Sequence, residues 1–507
     1  MKINVLQNTI KSSLWGILSK IVMLFCAFIV RSVIVYKLGV EYVGLDGLFT
    51  SVLSLLNLSE LGIGSAIVFS MYSSIVKKDY DTINQLLYLY RKAYLLIAGF
   101  ILCIGVIVSL FVKSLIHGET PVGINVYILF YMFLLNTVSG YLFASYRTSV
   151  FAAYQRNDIK ARIQLVSDIF QYGLQIIVLL SFENYYLYIG VMLITIIPRN
   201  IMYLYASRKH FPRINPSTMP TADTAKGIFR KVLPLLGHKV GGAFLVSIDS
   251  IVISAFLGLS ILGKYNNYYY IITALIGIIS IIQQALIAGI GNRIIVLSPE
   301  QMLKMYNNCA FVWHWIIGWC TIALLCLIQP FITIWLGRDY LLADSIAIAL
   351  AFYFYLWQFR IIGMTFKDAG GLWENDWYKP YIGMIVNALL SISLVYITKN
   401  IIFVLIPTCF VFAFLYFPVE SLVISKGIFK CKLKNVLLPS IVDTGFFLVI
   451  GAFTYLICIK FLHEYSVINL FYRAIVVLVV PNVLLILCYY RTSQFKAIVS
   501  YLKRLRK

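Results

Sequence analysis

The sequence predicts an all-α polytopic membrane protein. Two observations carry that reading. Hydrophobic residues make up 61% of the 507 positions and charged residues only 12%, a balance far from that of an ordinary soluble domain. Apolar windows of about 20 residues, the length a helix needs to cross hydrocarbon, also recur along the chain with short polar punctuation between them.

About fourteen spans are expected, at 12–36, 43–70, 88–112, 121–145, 163–181, 185–207, 232–256, 265–290, 306–336, 345–365, 381–397, 401–425, 437–459 and 466–490. The first follows Lys2 and Lys11 and shows no small-residue cleavage pattern. It is therefore expected to be a retained helix and not a cleaved signal. The nine cysteines are scattered with no C-x-x-C pair, so no zinc site, redox motif or disulfide framework is expected. No G-x-x-x-x-G-K-[ST] loop is present, which argues against ATP hydrolysis. No soluble catalytic constellation appears, and no connection on the outer side is long enough to hold one. The chain is expected not to be an enzyme, with no cofactor and no metal.

The formal charge of +22 suggests nucleic acid only at first sight. Most Lys and Arg fall in alternate connections that share a side with the N-terminus, the asymmetry that marks the cytoplasmic face. Both termini are expected in the cytoplasm, with nucleic acid excluded as a partner. The tail "YLKRLRK" in 491–507 is a juxtamembrane basic segment drawn to anionic membrane lipid.

An offset of 219 residues pairs Lys20 with Lys239, Gly39 with Gly258, Gly44 with Gly263, Ala66 with Ala285, Gly99 with Gly318 and Gly118 with Gly337 without a gap. The hydropathy matches as well. Two parallel six-helix lobes follow, 1–207 and 232–425. A cytoplasmic linker at 208–231 joins them, with three prolines and six Lys or Arg, and helices at 437–490 lie outside the repeat. Transporters built this way hold substrate between the repeats and rock one against the other.

Ionisable residues inside spans are functional candidates by default. Lys20 and Lys239 recur at the same depth. Arg31 follows Lys20 by eleven residues, which places both on one helical face roughly 16 Å apart. A cationic cavity of Lys20, Arg31, Lys239 and Arg360, suited to an anionic substrate, is one reading. Internal pairing, Arg31 with Glu60 or Lys239 with Asp249, is the other. Arg199, Arg360 and Arg473 lie near helix ends, where snorkelling is cheap, and Asp168, Glu420 and Asp443 read as boundary residues. "KYNNYYY" at 264–270 fits either sugar contacts or an interfacial belt. His314 reads as a satisfied packing residue.

The run "YKLGVEYVGLDGLFTSVLSLLNLSELGIGSAIVFSMY" with "KKDYDTINQLLYLYRKAY" resembles the opening of bacterial polysaccharide flippases, the Wzx-type members of the MOP exporter superfamily. "SIDSIVISAFLGLSILGKYNNYYYII", "ALIAGIGNRI" and "FKDAGGLWENDWYKPYIGMIVNALLSISLV" extend the resemblance to about residue 430. It implies two six-helix lobes in a V-shaped, MATE-like arrangement plus two C-terminal helices. It also implies the bacterial cytoplasmic (inner) membrane and an undecaprenyl-diphosphate-linked oligosaccharide as substrate, moved during O-antigen, capsule or exopolysaccharide assembly. Polysaccharide polymerase and chain-length machinery are the candidate partners. A peptidoglycan-precursor flippase, a multidrug exporter of the same superfamily and a membrane-embedded polymerase are the rivals. With no nucleotide site, energy is expected from an ion gradient, with Glu60 and Asp249 as coupling candidates.

Overall fold

A computed structural model describes residues 5–57, 63–216, 219, 222–294 and 296–505, and these residues are helical with no strand among them. The chain divides into two compact units, Met1–Gly263 and Lys264–Lys507.

The first unit contains α1 (Val5–Lys37), α2 (Val40–Leu56), α3 (Ile63–Lys77), α4 (Tyr80–Ser109), α5 (Val126–Leu142), α6 (Thr148–Ala153), α7 (Asn157–Phe182), α8 (Tyr185–His210) and α9 (Ala222–Leu257). The helix α10 (Leu259–Ile294) starts there and continues into the second unit. The rest are α11 (Pro299–Trp335), α12 (Asp344–Phe359), α13 (Ile361–Ala369), α14 (Lys379–Thr398), α15 (Ile402–Phe410), α16 (Phe417–Ile424), α17 (Lys434–Phe461), α18 (Val467–Tyr489) and α19 (Ser493–Leu505).

Among the described residues, twelve helices are long and apolar enough to cross a membrane. A thirteenth crossing forms if Val126–Leu142 and Ser145–Ala153, bent by 47° at their break, act together. The chain is a multi-pass membrane protein. The expected span 43–70 differs in form: α2 has 17 residues and α3 has 15, and Glu60 lies outside the described residues. Short polar residues start the helices. Asp79 accepts from the Thr82 amide at 3.0 Å and Asn184 from the Leu187 amide at 3.1 Å. Ser298 and Gln301 form a reciprocal capping box at α11, with Pro299 in its first turn. Each side chain satisfies amide donors that a helix start leaves open.

The expected linker 208–231 is helical from Ala222 onward. Before that, the Asn215 amide donates to Asn84 Oδ1 at 2.7 Å, which holds the connection against α4. The helix α9 packs along α2 and α3, with the Ser54 and Ser247 hydroxyls 2.7 Å apart.

The repeat is visible in the backbone. Gly39 and Gly258 have φ of 116° and 93°, and Gly118 and Gly337 have 81° and 107°, a region L side chains avoid. The paired stretches "LGVEYVG" and "LGLSILG" also cross closely. A Cβ on Gly44 would lie 2.3 Å from the Leu259 carbonyl oxygen, and one on Gly263 would lie 2.1 Å from that of Val40. Because Val40 and Leu259 are themselves repeat mates, these two contacts are copies of one another. The first unit thus contains a local pseudo-twofold contact that only glycine permits.

Candidate functional site

Two groups of intramembrane charge stand out, one in each unit. In the first, α1 is unbroken, so Lys20 and Arg31 fall within about 20° of one another around its axis. Both are half-buried. Lys20 forms no ion pair among the described residues. Arg31 interacts electrostatically with Asp46 of α2 and with Tyr185 and Tyr188 of α8. Tyr185 stacks on Tyr188 at 5.2 Å, meets Tyr42 edge-on at 5.0 Å and donates its hydroxyl to the Tyr42 carbonyl at 3.3 Å. A carboxylate therefore lies near Arg31 and the tyrosines of α8. Asp46 escaped the sequence reading because it lies only three residues inside its expected span, where an acidic residue passes for a boundary residue.

Lys239 is exposed on α9 and Asp249 is buried on the same helix. Ten helical residues separate them by about 15 Å along the axis, so the Lys239–Asp249 pair offered as an alternative does not form.

The second unit gathers five charged side chains where its helices break. Arg360 lies between α12 and α13 and Lys367 on α13, while Asp376 closes the short 3-10 turn Trp373–Asp376. Lys379 opens α14. Glu420 lies on α16, which is flanked by the π-helical turns Val411–Tyr416 and Ser425–Phe429. Such turns change helical register and often mark functional positions. Lys367 Nζ donates to Asp376 Oδ1 and Oδ2 at 2.9 and 2.8 Å, and Lys379 Nζ lies 2.8 Å from Oδ2. Glu420 Oε1 accepts from Lys379 Nζ at 2.5 Å and from Arg360 Nη1 at 2.6 Å. Tyr416 closes the group, its ring 5.0 Å from the Arg360 guanidinium and 4.9 Å from Lys379 Nζ. All five charged residues are under 9% exposed.

Three cations thus face two carboxylates, with a third, Asp368, beside them and bonded to the Trp373 indole at 3.0 Å. Close pairing is what makes such burial tolerable, since an unpaired ion in a low-dielectric interior costs several kcal/mol. Glu420, expected at a helix boundary, is instead the carboxylate that joins Arg360 to Lys379. Arg360, expected to line a cationic cavity, is buried with its charge met by Glu420.

Arg473 and Asp443 depart from expectation in the same way, whereas His314 packs as expected. Arg473, expected to snorkel, is buried and donates to the Cys326 and Leu462 carbonyls at 2.9 and 2.7 Å. His314 is buried on α11, its Nδ1 3.0 Å from Asp443 Oδ2, while the Tyr489 hydroxyl donates to Asp443 Oδ1 at 2.6 Å. Asp443 therefore ties α11, α17 and α18 together. Within "KYNNYYY", Tyr265, Asn267 and Tyr268 are buried, and Tyr268 hydrogen-bonds Gln329 and the Leu342 amide. These residues pack the core, while Tyr269 and Tyr270 of the same stretch are half-buried. Among the described residues, no group of three His, Cys, Asp or Glu could hold a metal ion.

Solved structures share this fold. The lipid II flippase MurJ in an inward closed conformation aligns at a TM-score of 0.64 and 16% identity, covering 95% of this chain and 99% of its own. An inward-facing multidrug resistance MATE family transporter of the MOP superfamily aligns at 0.58 and 14%, covering 83% and 94%. An outward-facing member aligns at 0.50 and 15%, covering 88% and 95%. No curated protein matches the sequence significantly. The family model described as "Polysaccharide biosynthesis protein" matches residues 5–287, more than half of the sequence. With a helical fold shared with a lipid II flippase and with MATE family transporters beneath that match, the chain belongs to the polysaccharide biosynthesis protein family.

Proposed function

We propose that this protein is a flippase that carries an undecaprenyl-diphosphate-linked oligosaccharide repeat unit across the bacterial cytoplasmic membrane, with both termini in the cytoplasm. The family match over residues 5–287 carries this reading. It is supported by the half-buried Lys20 on the helical face it shares with Arg31. A diphosphate brings negative charge into hydrocarbon, and a basic group held inside a span lowers the cost of that charge. The lobes are proposed to rock and expose the substrate to alternate sides. Lys239 is assigned to the same task in the second repeat, and Asp249 to ion coupling. Polymerase and chain-length proteins are the proposed partners in O-antigen, capsule or exopolysaccharide assembly.

The test is complementation of a deletion strain. K20A at wild-type expression is expected to abolish surface polymer and leave lipid-linked repeat units on the inner leaflet. Normal polymer refutes the role of Lys20. The fold similarity to a lipid II flippase favours a second reading, transport of a peptidoglycan precursor. Loss of viability on deletion, instead of loss of surface polymer, would select it.

A further inference from the structure

The end of the second unit where α16 leads into α17 and where α18 ends is strongly basic. Lys426, Lys430, Lys432 and Lys434 are all exposed. The bond from Tyr489 to Asp443 holds the last residue of α18 beside the first half of α17, so Arg491 and α19 emerge toward the end of the unit that carries these lysines. No Asp or Glu occurs from 421 to 442 or from 490 to 507. Here α19 is a docked helix and not a free tail. Its Phe495 ring stacks on Trp315 of α11 at 6.3 Å and 21°, and Ile498 packs on the same buried cluster as Phe311 and Tyr489. The opposite stripe, Ser493, Lys496, Ser500 and Lys503, is exposed. These four follow one another at three- and four-residue steps, the spacing of a single helical face.

A helix docked on the protein by its apolar stripe presents its basic stripe outward, and clustered Lys and Arg beside a span attract anionic lipid headgroups. We propose that α19, with Lys430, Lys432 and Lys434, forms a binding surface for the phosphodiester headgroups of acidic phospholipids. Because Phe495 stacks on Trp315, a lipid held on Lys496 and Lys503 also bears on the middle of α11. The attraction expected from the sequence is thereby a defined site, with a contact that passes lipid composition to a membrane-spanning helix. It does not depend on the identity of the transported molecule.

The experiment uses full-length protein in mixed micelles of neutral detergent and phosphatidylcholine, titrated with phosphatidylglycerol, with retained lipid counted by native mass spectrometry. Wild type is expected to retain phosphatidylglycerol over phosphatidylcholine. K496Q and K503Q are each expected to weaken that retention about five-fold, the equivalent of roughly 1 kcal/mol per basic residue near a membrane surface. The K496R/K503R variant keeps it, and K460Q, at the other end of α17, leaves it unchanged. Equal retention of the two lipids by wild type overturns the proposal. So does retention that K496Q/K503Q does not alter, or displacement of the lipid by soluble glycerol phosphate. A change of oligomeric mass in K496Q/K503Q without loss of phosphatidylglycerol would make the surface a contact between copies and refute the lipid site.

Discussion

The glycine crossing between the two repeat stretches yields a prediction that can be worked from distances. In G263A the new Cβ would sit 2.1 Å from the Val40 carbonyl oxygen and 2.8 Å from Val40 Cγ2. Ordinary contact begins near 3.4 Å, so the backbones must separate by about 3.4 − 2.1 = 1.3 Å along that line. The obstructing atom belongs to the first turn of α2 and cannot rotate away. Overpacking of a tight interface costs about 1–3 kcal/mol, and the size of this overlap points to the upper part of that range. G44A meets the Leu259 carbonyl at 2.3 Å and should cost a similar amount. Since one separation relieves both overlaps, G44A/G263A should cost clearly less than the two single losses added. Gly99 is the control: it belongs to the same repeat, but a Cβ there meets nothing within 4 Å. G99A should be neutral or stabilising by up to about 1 kcal/mol, because alanine favours a helix interior. Thermal unfolding in detergent, followed by intrinsic fluorescence, provides the comparison. A G263A protein as stable as G99A, or additive costs in the double variant, would refute the shared crossing.

The charge network of the second unit gives a further test. E420Q leaves Arg360 and Lys379 without the carboxylate they share and should cost about 3–5 kcal/mol, as loss of one partner of a buried ion pair does. Denaturation of the purified protein measures it, and a loss below about 1 kcal/mol would show that the network does not hold the fold. In D443N the His314 and Tyr489 bonds lose a charged acceptor, worth about 1.5–3 kcal/mol for hydrogen bonds to charged groups. Limited proteolysis should then release α17 and α18 at lower temperature than the rest of the chain, and uniform protection would count against the tie.

Composition and periodicity were enough to reveal a helical membrane protein, because the bilayer imposes both the length and the apolar character of each crossing. Of the glycines paired by the 219-residue offset, Gly39 with Gly258 and Gly118 with Gly337 share a positive φ. The partners of the buried charges were not legible. Arg360 meets Glu420, sixty positions away, and Lys379 of α14 meets the same carboxylate, forty-one positions away. Each pairing depends on which helices pack and on how their breaks and π turns aim the side chains. Lys379 and Asp376 read as parts of a short connection, yet the chain folds that connection inward over Glu420. The sequence by itself determined the solvent in which this chain lives and its helical character, since these follow from local hydropathy and backbone preference. Only the tertiary structure decided which charges are spent on one another, because an ion pair forms across distances along the chain that local chemistry does not encode.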